Sequence, residues 1–190
     1  MENLFWDSCV FNALLYDESD SYDVDSIEQY LGEARDGKFK IYTSSVFLAE
    51  IAHSKIKKAG SGGPLEFLND LQGAVTVIDA SLDIMELAGR LRDIPYKKQD
   101  SDKRQLSIGD AAMLATALHL SDAYGVQVYA FHTFDNGGKK REIPILSFEQ
   151  WCSGLTGKKA ELAGRVSRLR REKPIHPAPT MKGMPRGKKP

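Results

Sequence analysis

Four carboxylates stand at positions where an acidic side chain is unusual. Asp7 and Asp135 each directly follow a short apolar run, where a strand would end. Glu50 lies inside the apolar segment 46–52, and Asp110 opens the most apolar stretch of the chain. A buried carboxylate is costly unless it is paired or bound to a cation. These four acids are therefore the first candidates for chemistry.

A divalent cation would make a cluster of these acids tolerable. No Lys or Arg lies within four residues of Asp7, Glu50 or Asp110, whereas Lys139 follows Asp135 by four residues. If the acids converge, their mutual repulsion favours protonation of some of them, and a cation removes that repulsion. Carboxylate oxygens suit hard ions such as Mg²⁺ or Mn²⁺. Such an ion can activate water for phosphodiester hydrolysis and stabilise the developing charge.

Taken singly, each acid also has a structural interpretation. Asp7 or Ser8 can cap the first helix, and segment 107–110 (Ser-Ile-Gly-Asp) has the spacing of a capping box. Segment 135–137 (Asp-Asn-Gly) is typical of a turn. Glu50 is expected too deep in its helix to cap it, so its alternative is an exposed helix face. A metal-site hypothesis therefore depends on all four acids together.

Strands alternate with helices along the chain. This alternation favours an α/β fold with a central parallel sheet and helices on both faces. In such a sheet, ligands bind beyond the carboxyl ends of the strands. Hydrophobic periodicity and turn residues predict strands at 3–6, 40–43, 74–79, 126–131 and 143–146, and helices at 9–16, 24–36, 46–58, 64–72, 81–93, 108–124 and 148–155.

The charge of the chain is unevenly distributed. Residues 158–190 carry 11 basic and 2 acidic residues, whereas the rest carries 15 basic and 24 acidic ones. We predict a domain over 1–157 and a basic, Pro-rich tail over 158–190, with a basic helix at 158–172 and disorder after it. Such a tail either binds a polyanion such as RNA or aids solubility, and the sequence does not choose between the two.

Cysteine use and hydropathy bear on the cellular setting. Cys9 and Cys152 have neither a metal-binding spacing nor a disulfide framework. We find no secretory signal and no apolar run of the length that spans a membrane. A cytoplasmic protein without a membrane partner is expected.

Four segments around the acids resemble the PIN-domain family of nucleases. Segment 6–11 (Trp-Asp-Ser-Cys-Val-Phe) resembles the opening motif, and segment 43–51 is similar to the motif with a helical Glu. Segment 108–117 resembles the third motif, an Asp ahead of a small-residue helix, and segment 133–135 (Thr-Phe-Asp) the fourth. Order and spacing agree over about residues 3–150, which is the whole predicted domain.

The resemblance implies a three-layer PIN-like fold and a Mg²⁺- or Mn²⁺-dependent endoribonuclease. It assigns Asp7, Glu50 and Asp110 as core metal ligands and Asp135 as the fourth acid. Ser8 and Thr133 would be hydroxyls behind these ligands. Many members of the family are VapC-type toxins that cut RNA and are silenced by an antitoxin, and others process RNA. An RNA substrate, an antitoxin partner and a homodimer are therefore expected possibilities for this chain.

Two further hypotheses remain beside the nuclease. One is a non-catalytic PIN-like module that binds RNA or protein. The other is a different Mg²⁺-dependent phosphoryl-transfer enzyme on an α/β fold. The Gly-rich segment 60–63 lacks the Gly-Lys-Ser/Thr of a phosphate-binding loop, which disfavours the last hypothesis.

Overall fold

Five parallel strands form the centre of the molecule. This computed structural model describes residues 1–52, 54, 63–99, 101, 103–137 and 141–177. The strands lie in the order β3-β2-β1-β4-β5 and pair in parallel throughout. Their bounds are β1 Glu2–Trp6, β2 Phe39–Ser44, β3 Val75–Ile78, β4 Val128–His132 and β5 Arg171–Glu172. The predicted α/β architecture with a parallel sheet is confirmed.

Helices flank this sheet and connect its strands. In β1, Leu4, Phe5 and Trp6 are all at most 2% exposed, as expected for a central parallel strand that is covered on both faces. The helices of the described residues are α1 Ser8–Leu15, α2 Val24–Arg35, α3 Phe47–Glu50, α4 Pro64–Asp70, α5 Leu82–Arg92, α6 Ile108–Tyr124 and α7 Gly157–Ser167, with a 3₁₀ helix at Ile145–Trp151.

Helix α6 has the bounds that the sequence predicts. Ser107 caps its N-terminus, where its Oγ accepts the Asp110 N–H at 3.0 Å. Gly125 ends it in the left-handed conformation with φ of 63°, which glycine adopts without steric cost. Residues 111–118 are all buried, because the helix is apolar on every side and contacts both α5 and the sheet.

The helix predicted at 46–58 is shorter in its described part. Helix α3 ends at Glu50, and Ile51 is extended with ψ of 123°. The Ala52 N–H donates to the Tyr16 hydroxyl at 2.9 Å instead of continuing the helix. Glu50 is therefore the last residue of a single turn, and the expectation that it lies deep in its helix is wrong. Residues 53 and 55–58 of the prediction lie outside the described residues.

The strand predicted at 143–146 and the helix at 148–155 are wrong as well. A 3₁₀ helix with a kink at Ser147 spans this region. Pro144 has no N–H to give to a ladder, and the next N–H, that of Ile145, donates to Asp135 Oδ2 at 2.8 Å. Leu146 donates to the Asp135 carbonyl at 3.0 Å. The Ile143 N–H donates to the Gln105 carbonyl at 3.2 Å beside an isolated bridge, but the donors of Ile145 and Leu146 hold a loop, so pairing does not extend into a strand.

The beginning of the predicted tail is part of the folded structure. Helix α7 ends at Ser167, and residues 171–172 form the edge strand β5 beside β4. The predicted basic helix therefore ends at Ser167 instead of 172, and the Arg171 guanidinium donates to the carbonyls of Val166 and Leu169 near this end. The disorder expected after residue 172 is not found over 173–177, which pack on α2. Residues 178–190 lie outside the described part of the chain.

Candidate functional site

The carboxyl ends of β1, β2 and β4 open into one cavity of about 460 Å³. Asp7, Glu50, Asp110 and Asp135 all line it, so segments that are far apart in the chain bring the four predicted acids together. The parallel sheet explains this, since its carboxyl ends lie along one edge. Asp7 follows β1 directly, and Glu50 and Asp135 follow β2 and β4 within a few residues.

Asp7 is the most deeply buried of the four acids. Its side chain is 3% exposed. Oδ1 accepts the Ser8 N–H at 2.8 Å, which caps α1, and Oδ2 accepts the Thr133 hydroxyl at 2.7 Å. Burial raises the pKa of Asp7 in spite of these hydrogen bonds, and the charge of Asp135 adds to the rise. Asp7 therefore both caps α1 and lines the acid cavity.

Glu50 reaches the cavity as an exposed side chain. Its carboxylate lies so close to Gly109, the second residue of α6, that a Cβ at position 109 would collide with it. Glu50 is exposed, as its structural interpretation predicts. The direction of the side chain is nevertheless toward the start of α6, next to Asp110.

Asp110 carries the clearest sign of crowded negative charge. Burial raises its pKa from 3.8 to about 7, and the charges of Asp7, Asp135 and Glu50 act in the same direction. Ser107 lowers the pKa by hydrogen bonding but does not offset the rise. The electrostatic coupling of Asp110 to all three other acids supports their proximity.

Asp135 also organises the loop that follows β4. Its Oδ1 accepts the Gly137 N–H at 3.0 Å, which is the turn that its sequence predicts. Its Oδ2 accepts the Ile145 N–H, and its own N–H donates to Thr133 Oγ1 at 3.0 Å. The structural interpretation of Asp135 is therefore correct, while the residue still lines the cavity.

Ser8, Thr133 and Cys9 surround Asp7. Ser8 Oγ lies 3.4 Å from Asp7 Oδ1, and Cys9 Sγ lies 3.2 Å from Oδ2. Cys9 Sγ is also 3.3 Å from Thr133 Oγ1 and accepts the Phe134 N–H at 3.1 Å. Burial and the charge of Asp7 raise the pKa of Cys9 well above 9.0, so the thiol stays protonated and can donate to the carboxylate. These three side chains hold Asp7 in one orientation.

The cavity is strongly acidic. Its lining among the described residues contains five carboxylates, the fifth being Glu142, and no Lys, Arg or His. Lys139, the basic residue nearest to Asp135 in the sequence, lies outside the described ranges. No described Lys, Arg or His supplies the positive charge that would balance this cluster. A bound metal ion would supply it.

Asn12 supplies an independent observation in favour of a bound polar group. Its Oδ1 is buried and accepts no hydrogen bond in the structure, and the residue lines the acid cavity. A buried carbonyl oxygen without a donor is destabilising, and water held by a cation is a donor of the required kind. Sequence analysis missed both Asn12 and Glu142. Asn12 could have been predicted, because it follows Ser8 by one helical turn. No local sequence pattern indicates Glu142.

The acids do not already have the geometry of a finished metal centre. Within the ranges that the structure describes, no three His, Cys, Asp or Glu side chains form a group that holds an ion as they stand. The role of the four acids as metal ligands therefore stays a prediction, although their convergence is an observation. His132, at the end of β4, lines a different cavity.

No protein-family model, no curated protein and no solved structure matches the chain. In the described residues, no helix combines the length and the apolarity needed to cross a bilayer.

Proposed function

We propose that this protein is a Mg²⁺- or Mn²⁺-dependent endoribonuclease of the PIN-domain kind. The observation that carries the proposal is the convergence of Asp7, Glu50, Asp110 and Asp135 in one cavity without a described Lys, Arg or His. The resemblance of the four surrounding segments to the PIN motifs adds the reaction class and the RNA substrate. The parallel central sheet with its flanking helices is compatible with a three-layer α/β fold.

The residues divide into ligands and supports. Asp7, Glu50 and Asp110 would hold the ion, and Asp135 would add negative charge while it keeps its loop in place. Once bound, the ion would activate water and stabilise the charge that develops on the phosphate. Thr133, Ser8 and Cys9 fix the orientation of Asp7 by hydrogen bonds, which limits the rearrangement needed for binding.

Cleavage of RNA by the full-length protein tests this proposal. We expect cleavage with Mn²⁺ or Mg²⁺ and none with EDTA. Asp7→Asn and Asp110→Asn should each lower the rate by at least about a hundredfold, because a ligand of the ion is lost. Asp83→Asn is the matched control, since Asp83 is an exposed acid of α5 outside the cavity, and its rate should equal that of the wild type.

Two results would contradict the nuclease. One is cleavage that persists undiminished in both Asp→Asn variants, which would indicate a contaminating enzyme. The other is an intact RNA substrate together with no calorimetric binding of Mn²⁺ at millimolar concentration. That second result would favour a non-catalytic PIN-like module that binds RNA or protein. The hydrogen bonds of both Asp135 carboxylate oxygens to the backbone are the observation in favour of such a module.

The biological setting of the nuclease is a finer proposal. As a VapC-type toxin it would be inhibited by an antitoxin and would form a homodimer, and as a processing enzyme it would need neither. Expression in a bacterial host separates these roles. Growth arrest that Asp7→Asn abolishes would favour the toxin, and normal growth would favour RNA processing.

A further inference from the structure

A second cavity of about 580 Å³ lies between α2, the sheet and the residues after β5. We call residues 173–177 the C-terminal strap. Ile175 and Pro177 of the strap line the cavity, together with Leu4 of β1 and Tyr30 of α2. None of these residues lines the acid cavity at the carboxyl ends of the strands. The two cavities are therefore separate sites.

The strap is fixed to α2 by specific polar contacts. The His176 N–H donates to Ser26 Oγ at 3.0 Å, and His176 Nε2 lies 3.0 Å from Glu33 Oε2. The Tyr30 hydroxyl donates to the Ile175 carbonyl at 3.4 Å. His176 is buried although it belongs to the polar end of the chain. These contacts give the cavity a defined wall.

A buried hydrogen-bond donor lies beside an acceptor in the lining of this cavity. Trp6 Nε1–H donates to His132 Nδ1 at 3.1 Å, so the proton of the neutral His132 ring is on Nε2. Burial and the charge of Arg170 lower the pKa of His132 to about 4, which keeps the ring neutral. His132 Nε2 and Glu172 Oε1 are 3.8 Å apart, too far for a direct hydrogen bond. A ligand with an acceptor next to a donor can satisfy both atoms.

Flat groups form the other walls. Tyr30 lies against His132 and Phe39 with ring centroids 5.0 Å and 5.4 Å away. Tyr129 is 45% exposed, and the Arg170 guanidinium covers its ring at 5.0 Å. Aromatic rings and guanidinium planes are the surfaces on which unpaired bases stack.

The charges of the lining balance. Glu2 and Glu172 face Arg170 and Lys173, and Arg170 Nε donates to Glu172 Oε2 at 2.8 Å. The other oxygen of Glu172, Oε1, lies 3.8 Å from His132 Nε2. A lining without net charge favours a neutral ligand over a phosphate or a metal ion. The size of the cavity is in the range of small-molecule sites.

We propose that this cavity binds a nucleobase, as part of a nucleoside or as an unpaired base of an RNA strand. A carbonyl or ring nitrogen of the base accepts from His132 Nε2–H, and the neighbouring N–H donates to Glu172 Oε1. The Tyr129 ring and the Arg170 guanidinium, which line the same cavity, supply the flat surface on which the base stacks. This proposal does not depend on the nuclease, because no acid of the first cavity takes part.

Titration of the metal-free full-length protein with the four ribonucleosides tests the site, with binding followed by saturation-transfer NMR. We expect at least one nucleoside to bind. Tyr129→Ala and Glu172→Gln should each weaken binding about tenfold through the loss of stacking and of a charge-assisted hydrogen bond. Tyr129→Phe keeps the ring and should bind as the wild type does. Tyr124→Ala is the control, since Tyr124 is an exposed tyrosine at the end of α6 outside the cavity.

The thermal unfolding midpoint of each variant shows whether it is folded. No binding of any nucleoside at millimolar concentration, or binding that folded Tyr129→Ala and Glu172→Gln leave unchanged, would overturn the proposal. A single-stranded tetranucleotide then identifies the source of the base. Tighter binding than that of the nucleoside indicates an RNA strand, and equal binding indicates the free nucleoside.

Discussion

The Glu50 carboxylate occupies the space beside Gly109 where any other residue would place its Cβ. This contact joins the end of α3 to the start of α6. It brings an exposed acid from the β2 side of the sheet next to Asp110, whose pKa its charge helps to raise. A side chain at residue 109 would therefore displace the Glu50 carboxylate from its place beside the start of α6.

Gly109→Ala should weaken metal binding without lowering the stability of the metal-free protein. The added methyl group displaces Glu50, so we expect calorimetric affinity for Mn²⁺ to fall about tenfold, in the range for lost metal support. Alanine is favoured over glycine in helices by up to about 1 kcal/mol, so the metal-free protein should not be less stable. Gly89→Ala in α5 is the control, because nothing lies within 4 Å of its added Cβ. Equal Mn²⁺ affinity in both variants would contradict a ligand role of Glu50.

The raised pKa of Asp110 predicts a stability that depends on pH. The folded state holds this proton up to a pH of about 7, whereas the ordinary value is 3.8. The resulting stabilisation is complete below the ordinary pKa and is lost as the pH rises toward 7. Between pH 4 and pH 8, metal-free wild type should lose on the order of 2 kcal/mol relative to Asp110→Asn, allowing for partial exposure of the side chain.

Urea denaturation in EDTA at several pH values measures this difference. Mn²⁺ at pH 8 should restore stability to the wild type by binding only the folded state, and should restore little to Asp110→Asn. Parallel pH profiles for the two proteins would show that residue 110 does not titrate in this range.

Asn12→Leu should change stability and metal binding in opposite directions. Leucine removes the unpaired Oδ1, so the metal-free protein should gain about 1 kcal/mol in its free energy of unfolding. The same change removes an acceptor for water on the ion, so the rise in melting temperature on adding Mn²⁺ should become smaller. Asn136→Leu, at an exposed amide of the same cavity, is the control and should leave the Mn²⁺ effect unchanged. A lower metal-free stability would refute this role for Asn12.

Two truncations should locate the end of the stable structure. A chain that ends at Pro177 keeps β5 and the strap, and its melting temperature should match that of the full chain. A chain that ends at Leu169 loses the bonds of Phe131 N–H to the Arg170 carbonyl and of Thr133 N–H to the Glu172 carbonyl, at 2.7 and 2.9 Å. Lost edge pairing and an exposed core should cost it several kcal/mol, in the range for broken buried networks. Equal melting temperatures would show that β5 contributes nothing.

The chain that ends at Pro177 also tests whether the basic tail contacts RNA, because it lacks residues 178–190. Residues 178–190 contain Lys182, Arg186, Lys188 and Lys189 and no acid. If all four bind phosphates, their removal should reduce the slope of log affinity against log salt concentration by about 3, at roughly 0.7 for each single-strand contact. Fluorescence anisotropy with a labelled RNA at several salt concentrations gives the slope. An unchanged slope would favour the role of the tail in solubility.

Much of the framework could be predicted from local sequence. The apolar run of β1, the caps of α6 at Ser107 and Gly125, and the alternation of strands and helices all depend on neighbouring residues, so the sequence contains them. The prediction failed where distant groups compete for the backbone. The hydroxyl of Tyr16 takes the N–H of Ala52 beyond α3, and Asp135 takes the backbone donors that a strand at 143–146 would need.

The identity of the candidate acids was likewise readable in the sequence, because an acid among apolar residues is costly unless something binds it. Only the tertiary structure decided that the four acids line one cavity, since a parallel sheet must first align the ends of β1, β2 and β4. It also decided that Asn12 Oδ1 is left without a donor, and that His132 and Glu172 lie side by side in the lining of a second cavity. Contacts between residues that are far apart in the chain leave no mark in local periodicity, and this is why the fold alone determines them.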